Sequence, residues 1–343
     1  MSKTSFIICT VVSFLLVGSL NSCLSADGSG EIKISGRQIM VDGSPYLIKG
    51  ICYNPVPKGS DKRNFSNLSQ DLALMVEAGI NTIRVYQPID DNAVLDEIHA
   101  AGIKVIVGFG FDQGGKFDMV SGTFIDYVNT YKHHKAILLW ELGNEYNYHP
   151  QWFNGDLKNW YTALNNAAGL IKKQDPSHPV TTAHGELPDS LALASCQNID
   201  IWGMNVYRWD EPGEIYSQWE SVSSKPMYLS EAGGDSYMTI TKAGYEQGVN
   251  EKAQAAANAK ILESVFNHTE VCSGVTLFAF SDEWWKAGNN DIQDIGGWAP
   301  NSTGVPYDGT PNEEYWGIVD IDRNKKETYE IVKKLYNQLS KHN

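Results

Sequence analysis

The chain is poor in cysteine, poor in basic residues relative to acidic ones, and has a single long apolar run. Each shortage excludes a class of protein. Five cysteines in 343 residues form no Cys-x-x-Cys pair, and no His-x-x-x-His spacing accompanies them. Neither a disulfide scaffold nor a zinc site is therefore expected, and the adjacent His133 and His134 fit a polar turn. Beyond the N-terminal leader only Cys52, Cys196 and Cys272 remain, so at most one disulfide and one free thiol can form among them. With 27 Lys+Arg against 41 Asp+Glu the net charge is -14, a surface that repels phosphate backbones and anionic headgroups. Nucleic acid is not an expected partner. No Gly-x-Ser-x-Gly elbow is present, which disfavours that class of serine hydrolase. The cluster Gly108, Gly110, Gly114 and Gly115 has the wrong spacing for a dinucleotide loop. There is no internal repeat and no low-complexity tract.

The one long apolar run, Phe6 to Gly18, follows Lys3 and precedes a small polar stretch, the pattern of an export signal over residues 1–26. It is shorter than the ~20 residues a membrane-spanning helix needs. Leu20-Asn21-Ser22-Cys23 resembles a lipobox, with Ser25 to Gly30 as a tether, and cleavage near Ser25 or Ala26 is the competing expectation. The expected product is residues 27–343 as one catalytic domain, secreted or lipid-anchored. Asn-x-Ser/Thr sequons begin at Asn64, Asn67, Asn267 and Asn301 and matter only in a eukaryotic secretory pathway.

What the chain has in quantity is flat rings, with 10 Trp and 17 Tyr, and regular alternation. Apolar, β-branched runs recur at Tyr46–Cys52, Ile80–Tyr86, Ile103–Phe109, Ala136–Leu142, Pro179–Ala183, Ile199–Tyr207, Pro226–Ser230 and Gly274–Phe280. Each reads as a buried strand. Helical periodicity fills the gaps, clearest at Leu68–Ala78, Ala93–Ala101, Leu157–Lys173, Glu251–Phe266 and Lys326–Leu339, with Gly79 and Gly102 at C-cap positions. Eight strands alternating with helices and no linker predict an α/β protein, a single (β/α)8 TIM barrel. A short hairpin from Glu31 to Asp42 is expected to plug the barrel floor.

In such a barrel the chemistry gathers at the C-terminal ends of the strands. The fourth run ends Leu139-Trp140-Glu141-Leu142-Gly143-Asn144-Glu145 and the seventh ends Leu229-Ser230-Glu231, so both place a carboxylate just beyond an apolar run. Burying a charge there requires a partner or a function. Two carboxylates across one barrel mouth are what a retaining glycosidase uses, about 5 to 5.5 Å apart, one as acid/base and one as nucleophile.

The segments Leu47-Ile-Lys-Gly-Ile-Cys-Tyr53, Asn81-Thr-Ile-Arg-Val-Tyr86, Gly143-Asn-Glu145, Trp202-Gly-Met-Asn-Val-Tyr-Arg-Trp209 and Leu229-Ser-Glu231 resemble clan A glycoside hydrolases. Within that clan they are similar to the family 72 β-1,3-glucanosyltransferases and related β-1,3-glucanases. The resemblance implies a retaining O-glycosidase without cofactor or metal, acting as a monomer on a neutral β-glucan with no protein partner. It implies Glu145 as acid/base and Glu231 as nucleophile. Arg84 and Tyr207 would hold the Glu231 carboxylate, and Asn144 would bond the sugar 2-hydroxyl. Tyr53, Tyr86, Trp209, Trp284 and Trp285 fall at strand ends, where they would floor sugar subsites. Tyr146, Tyr148, Trp152 and His149 would form an acceptor-side wall, with His184 at the rim.

The segment Lys286 to Trp316, rich in Gly, Asn and Pro, is too long for an idle connection. With Asp282 and Glu283 it is expected to overhang the cleft and set chain-end access or acceptor binding. The chain departs from the fungal transferases in carrying Phe280 where they place a tyrosine, and in ending on a polar amphipathic helix. Simple endo-hydrolysis of β-1,3-glucan is therefore weighed beside transfer. Cleavage of β-1,4-mannan or mixed-linkage glucan, and a non-catalytic glycan-binding barrel, are the further alternatives.

Overall fold

The structure, a computed structural model, describes residues 30–208, 212–295 and 312–339. Eight parallel strands close into a barrel in chain order: Ile48–Cys52, Thr82–Val85, Lys104–Phe109, Ile137–Asn144, Val180–Gly185, Ile201–Asn205, Met227–Ala232 and Cys272–Leu277. They coincide with the eight expected runs, trimmed by one to three residues at most ends. The five expected helices form at Leu68–Glu77, Asn92–Ala100, Leu157–Gln174, Glu251–Phe266 and Glu327–Leu339. Three shorter ones, Ile125–Tyr131, Ser190–Ser195 and Ile215–Val222, span about two turns or less, too short for a 3.6-residue period to register. Gly79 and Gly102 take positive φ, 77° and 76°, directly after their helices.

The hairpin forms from Ile32–Ser35 and Gln38–Val41, with Ser44–Pro45 as a third short strand. Ile32 and Ile39 are buried against Ile48, Ile106, Leu138, Leu139, Ile201 and Tyr228, which point into the lower end of the barrel. The hairpin thus closes the floor as expected, each isoleucine contributing roughly 1.5–3 kcal/mol of burial. Outward-facing residues, among them Ile83, Val85, Trp140, Leu142 and Trp202, pack against the helices with Trp160 and Trp219. Cys52, Cys196 and Cys272 are buried free thiols, and burial pushes the Cys52 thiol up to about 11. His134 sits in a turn, its Nε2 3.1 Å from Asp96.

With the floor closed and the outer face covered, the open end of the barrel is where the strands terminate. That end carries the polar residues described next.

Candidate active site

Residues of a strand alternate between barrel interior and helix layer. On the second strand Thr82 and Arg84 face inward, and Tyr86 follows in the same phase. On the sixth, Asn205 and then Tyr207 do so. The two carboxylates need more than alternation. Pairing of the fourth strand with the fifth shifts register between Glu141 and Asn144, where Gly143 has φ 71° and Glu145 φ 56°. This bulge turns the consecutive Asn144 and Glu145 both toward the mouth. A side chain at Gly143 would run into the Trp160 ring. The seventh strand also shifts register, between Leu229 and Glu231, and so carries Glu231 inward beside Ser230.

Arg84, fully buried, organises the centre. Its Nε and Nη2 grip Glu141 at 2.8–3.0 Å, Nη1 donates to Glu231 Oε1 at 2.6 Å, and Nη2 also donates to Asn144 Oδ1 at 2.8 Å. Tyr86 Oη donates to Glu231 Oε1 and Tyr207 Oη to Oε2, each at 2.7 Å. Glu231 thus collects three donors, one of them cationic. Glu145 has a different setting. Among the described residues its Oε1 accepts only the Asn205 side-chain amide, at 3.1 Å, and Asn205 also donates to Asn144 Oδ1 at 3.0 Å. Burial, then the charge of Glu231, pushes the Glu145 carboxyl up to about 7, against the opposing pull of Asn205 and Arg84, while Glu313 adds a little. Asn144 Oδ1 is occupied twice over, which leaves its amide NH2 as the group offered to a ligand.

The structure brings together Glu145, Glu231, Asn144, Arg84 and Tyr207, and it adds residues that the sequence reading did not single out. Glu141 takes the bidentate grip expected for Glu231 and also accepts from Tyr228 Oη at 3.0 Å. Asn205 bridges Glu145 and Asn144, and its own oxygen accepts from Ser230 Oγ at 2.7 Å. Glu141 sits three residues short of the end of its strand and Asn205 is the last residue of its own, each in phase with inward-facing neighbours. That phase was the signal available for finding them.

Several expected subsite residues lie elsewhere. Tyr53 is buried on the helix side, donating to Asp71 at 2.9 Å and packing edge-on against Phe280, so neither ring face is open to a sugar. Phe280 is likewise a core residue, and the cleft side of the eighth strand is held by Phe278, which faces Tyr207. Tyr86 is not a platform, because Arg84 covers its ring at 4.6 Å and its hydroxyl is spent on Glu231. Trp284 and Trp285 do follow the eighth strand as expected, where Lys58 lies over the Trp284 ring at 4.3 Å and Trp285 neighbours Lys286. Trp209 and Asn301 fall outside the described residues, as do residues 1–26 and the middle of the Lys286–Trp316 segment.

On the proposed acceptor side Tyr146 is packed among Trp152, Phe153 and Trp160. Trp152 is 46% exposed, stacks on His149 at 4.1 Å and meets Tyr146 edge to face at 5.2 Å. His184 is not at the rim. It is buried, bonded to Tyr161 Oη and the Glu186 carbonyl, and burial lowers its pKa. Asp282 is also structural, paired with Lys326 and capped by the Gly317 amide.

Residues 32–257 match the family described as Glycosyl hydrolases family 2, TIM barrel domain. A curated relative, a probable beta-glucosidase of Aspergillus flavus, is 24% identical over 314 residues, covering 84% of this chain and 43% of the relative. The chain thus spans less than half the length of the curated relatives it matches. Among solved structures, a family 2 beta-galacturonidase of Eisenbergiella tayi bound to galacturonate superposes with TM-score 0.67 at 24% identity, over 90% of this chain and 54% of that one. A beta-glucuronidase of Faecalibacterium prausnitzii superposes with TM-score 0.66 at 19% identity, over 90% and 51%. The clan-level fold expectation agrees with these matches, whereas the family 72 resemblance does not. The described residues of the five segments lie on barrel strands and their C-terminal ends, the region this fold uses for chemistry, so they report the clan and not the family.

Proposed function

This chain belongs to the glycosyl hydrolase family 2 TIM-barrel family, and from that premise we propose that it is a retaining β-glycosidase with Glu145 as acid/base and Glu231 as nucleophile. The observation that carries the reading is the contrast between the two carboxyl groups at one barrel mouth. Glu145, desolvated and beside a second carboxylate, is raised to about 7 and so holds a proton to deliver near neutral pH. Glu231, fixed by Arg84, Tyr86 and Tyr207, presents oriented oxygens for attack on the anomeric carbon.

In the first step Glu231 forms a bond to that carbon as the C–O bond to the leaving group breaks, and Glu145 gives its proton to the departing oxygen. In the second, Glu145 as carboxylate takes a proton from water or a sugar hydroxyl, whose oxygen displaces Glu231. Asn144 offers its amide N–H to the oxygen of the 2-hydroxyl and so orients that hydroxyl, whose own hydrogen bonds strengthen in the transition state. Arg84 and the two tyrosines hold the nucleophile without touching the sugar chemistry, and Asn205 holds Glu145 and Asn144 in mutual register.

The substrate we propose is a neutral β-glucan. The gluco configuration is supported by the curated beta-glucosidase relatives, and the β-1,3 linkage is the expectation that the polysaccharide panel below tests. The half-exposed Trp152, on the segment that follows Glu145, is the ring we assign to a further sugar unit on the acceptor side, since a flat indole matches the apolar face of a pyranose. Export and action as a monomer belong to the same proposal.

A panel of laminarin, β-1,4-mannan and mixed-linkage glucan, with products followed by chromatography and NMR, tests this reading. The expected outcome is cleavage of laminarin with the β-anomer formed first. Cleavage of mannan alone would overturn the substrate, and first formation of the α-anomer would overturn the mechanism.

A further inference from the structure

Just past the eighth strand lies a second charged group that the two-step mechanism does not use. Lys286 Nζ is 3.1 Å from Glu283 Oε2 and 3.1 Å from Glu313 Oε2, and it lies 4.1 Å over the Phe278 ring. An ammonium has three protons, and here two carboxylates and a ring face use the whole group. Phe278 connects this cluster to the catalytic centre. Its ring is 6.4 Å from that of Tyr207, which donates to Glu231, and 5.6 Å from Trp316, which is itself 5.2 Å from Tyr207. Electrostatics agree with this placement. Burial opposes the charge on Lys286, but Glu283, Glu313 and Glu231 raise its pKa above the ordinary lysine value, and the charge of Glu313 also adds a little to the rise at Glu145.

Two buried indole N–H groups beside this cluster, Trp285 Nε1 and Trp316 Nε1, have no acceptor among the described residues. Trp316 is 3% exposed. A buried donor without a partner costs roughly 1–3 kcal/mol, so an oxygen arriving from a ligand would be favoured there. The site therefore presents orphan donors and fixed carboxylate acceptors together. A hydroxyl, which both donates and accepts, answers both. A carboxylate answers only the donors, and it enters a mouth in which Arg84 and Lys286 face Glu141, Glu231, Glu283 and Glu313. Burial raises the Glu283 carboxyl, with Lys286 opposing. Even with Glu283 protonated, three carboxylates outnumber two cations.

We propose that Lys286, clamped by Glu283 and Glu313 and flanked by Trp285 and Trp316, forms a subsite next to Glu231 that selects neutral sugars and rejects uronic acids. The solved relatives that superpose on this barrel are named for uronide substrates, so the cluster would mark a point of divergence in specificity. The inference rests on the glycosidase reading for its biological meaning, but binding tests it without turnover.

Titration calorimetry at 0.15 M salt would compare laminaribiose with glucuronyl-β-1,3-glucose, on the whole chain and on two variants, Glu313→Gln and Glu283→Gln/Glu313→Gln. The full chain should bind laminaribiose about tenfold or more tighter. Each variant, with its melting transition preserved, should shift that ratio toward the uronate, the double variant by about tenfold or more. Should the double variant fail to fold, the single change at the partly exposed Glu313 carries the test. Equal or tighter uronate binding by the full chain, failure to bind either disaccharide, or an unchanged ratio in the folded variant would each overturn the proposal. Hydrolysis of an aryl β-glucoside by the same protein reports separately on the glycosidase reading. Selective binding without hydrolysis would leave this subsite standing while the catalytic assignment fell.

Discussion

Glu231→Gly should lose turnover of aryl β-glucosides by roughly 10^5-fold, the scale on which removal of a nucleophile acts. At 1.36 kcal/mol per factor of ten, that loss exceeds any contact a single binding residue supplies. Azide should then rescue it, and the stereochemistry of the product identifies the role. With the nucleophile removed, azide attacks the anomeric carbon directly from the vacated face and yields the α-glycosyl azide. In Glu145→Ala the glycosyl-enzyme still forms, and azide displaces Glu231 from the opposite face to yield the β-azide. Identical anomers from both variants would contradict the assignment.

The pH dependence adds an independent check. Because Glu145 is raised from 4.5 to about 7, kcat/KM should fall as pH rises through about 7, where the proton to be delivered is lost. In Glu145→Gln that limb should vanish. The same shift has a stability consequence. Between about 4.5 and 7 the folded chain holds a proton that the unfolded chain releases, so this group lowers stability as pH rises across that window. Glu145→Gln should therefore melt higher than the parent above pH 7, and the difference should close below pH 4.5.

The second large effect falls on stability. Arg84→Met should destabilise the barrel by roughly 3–5 kcal/mol in urea unfolding, the cost of leaving buried charge without its partner. Arg84 and Glu141 are essentially inaccessible, and the same guanidinium serves Glu231. Adding Glu141→Gln to Arg84→Met should recover part of the stability, because one stranded carboxylate is removed. Activity should stay low in both, since Glu231 has lost its cationic partner. Recovery of turnover along with stability would show that Arg84 serves only the fold.

The barrel was legible because its strands are buried on both faces and so read as continuous apolar runs, each bounded by a helix with its own period and cap. The two carboxylates were legible because Glu145 and Glu231 stand just past such runs, where an unpaired charge has no structural excuse. What lay beyond reach was the direction of individual side chains. Tyr53, Tyr86 and Phe280 all occupy strand ends, yet Tyr53 and Phe280 turn to the helix layer and Tyr86 to the interior. Inward and outward phase follows from alternation only when the bulges are known. The positive φ angles at Gly143 and Glu145 break that alternation at the decisive place. Glu145, which has a Cβ and gains nothing from that region on its own, gives no warning of it in the sequence. Glu141 was passed over for the opposite reason. It lies inside an apolar run, and its significance appears only once Arg84 from a strand two positions away is seen to grip it.

The most direct test of the central claim is to trap the covalent intermediate. Incubating the protein with a 2-deoxy-2-fluoro-β-glucosyl fluoride slows formation and breakdown of the glycosyl-enzyme and lets the latter accumulate. Intact mass and peptide analysis should then show one fluoroglucosyl unit, carried on Glu231. A label on any other carboxylate, or a protein that hydrolyses β-glucan with inversion and takes no label, would contradict the double displacement on which this account stands.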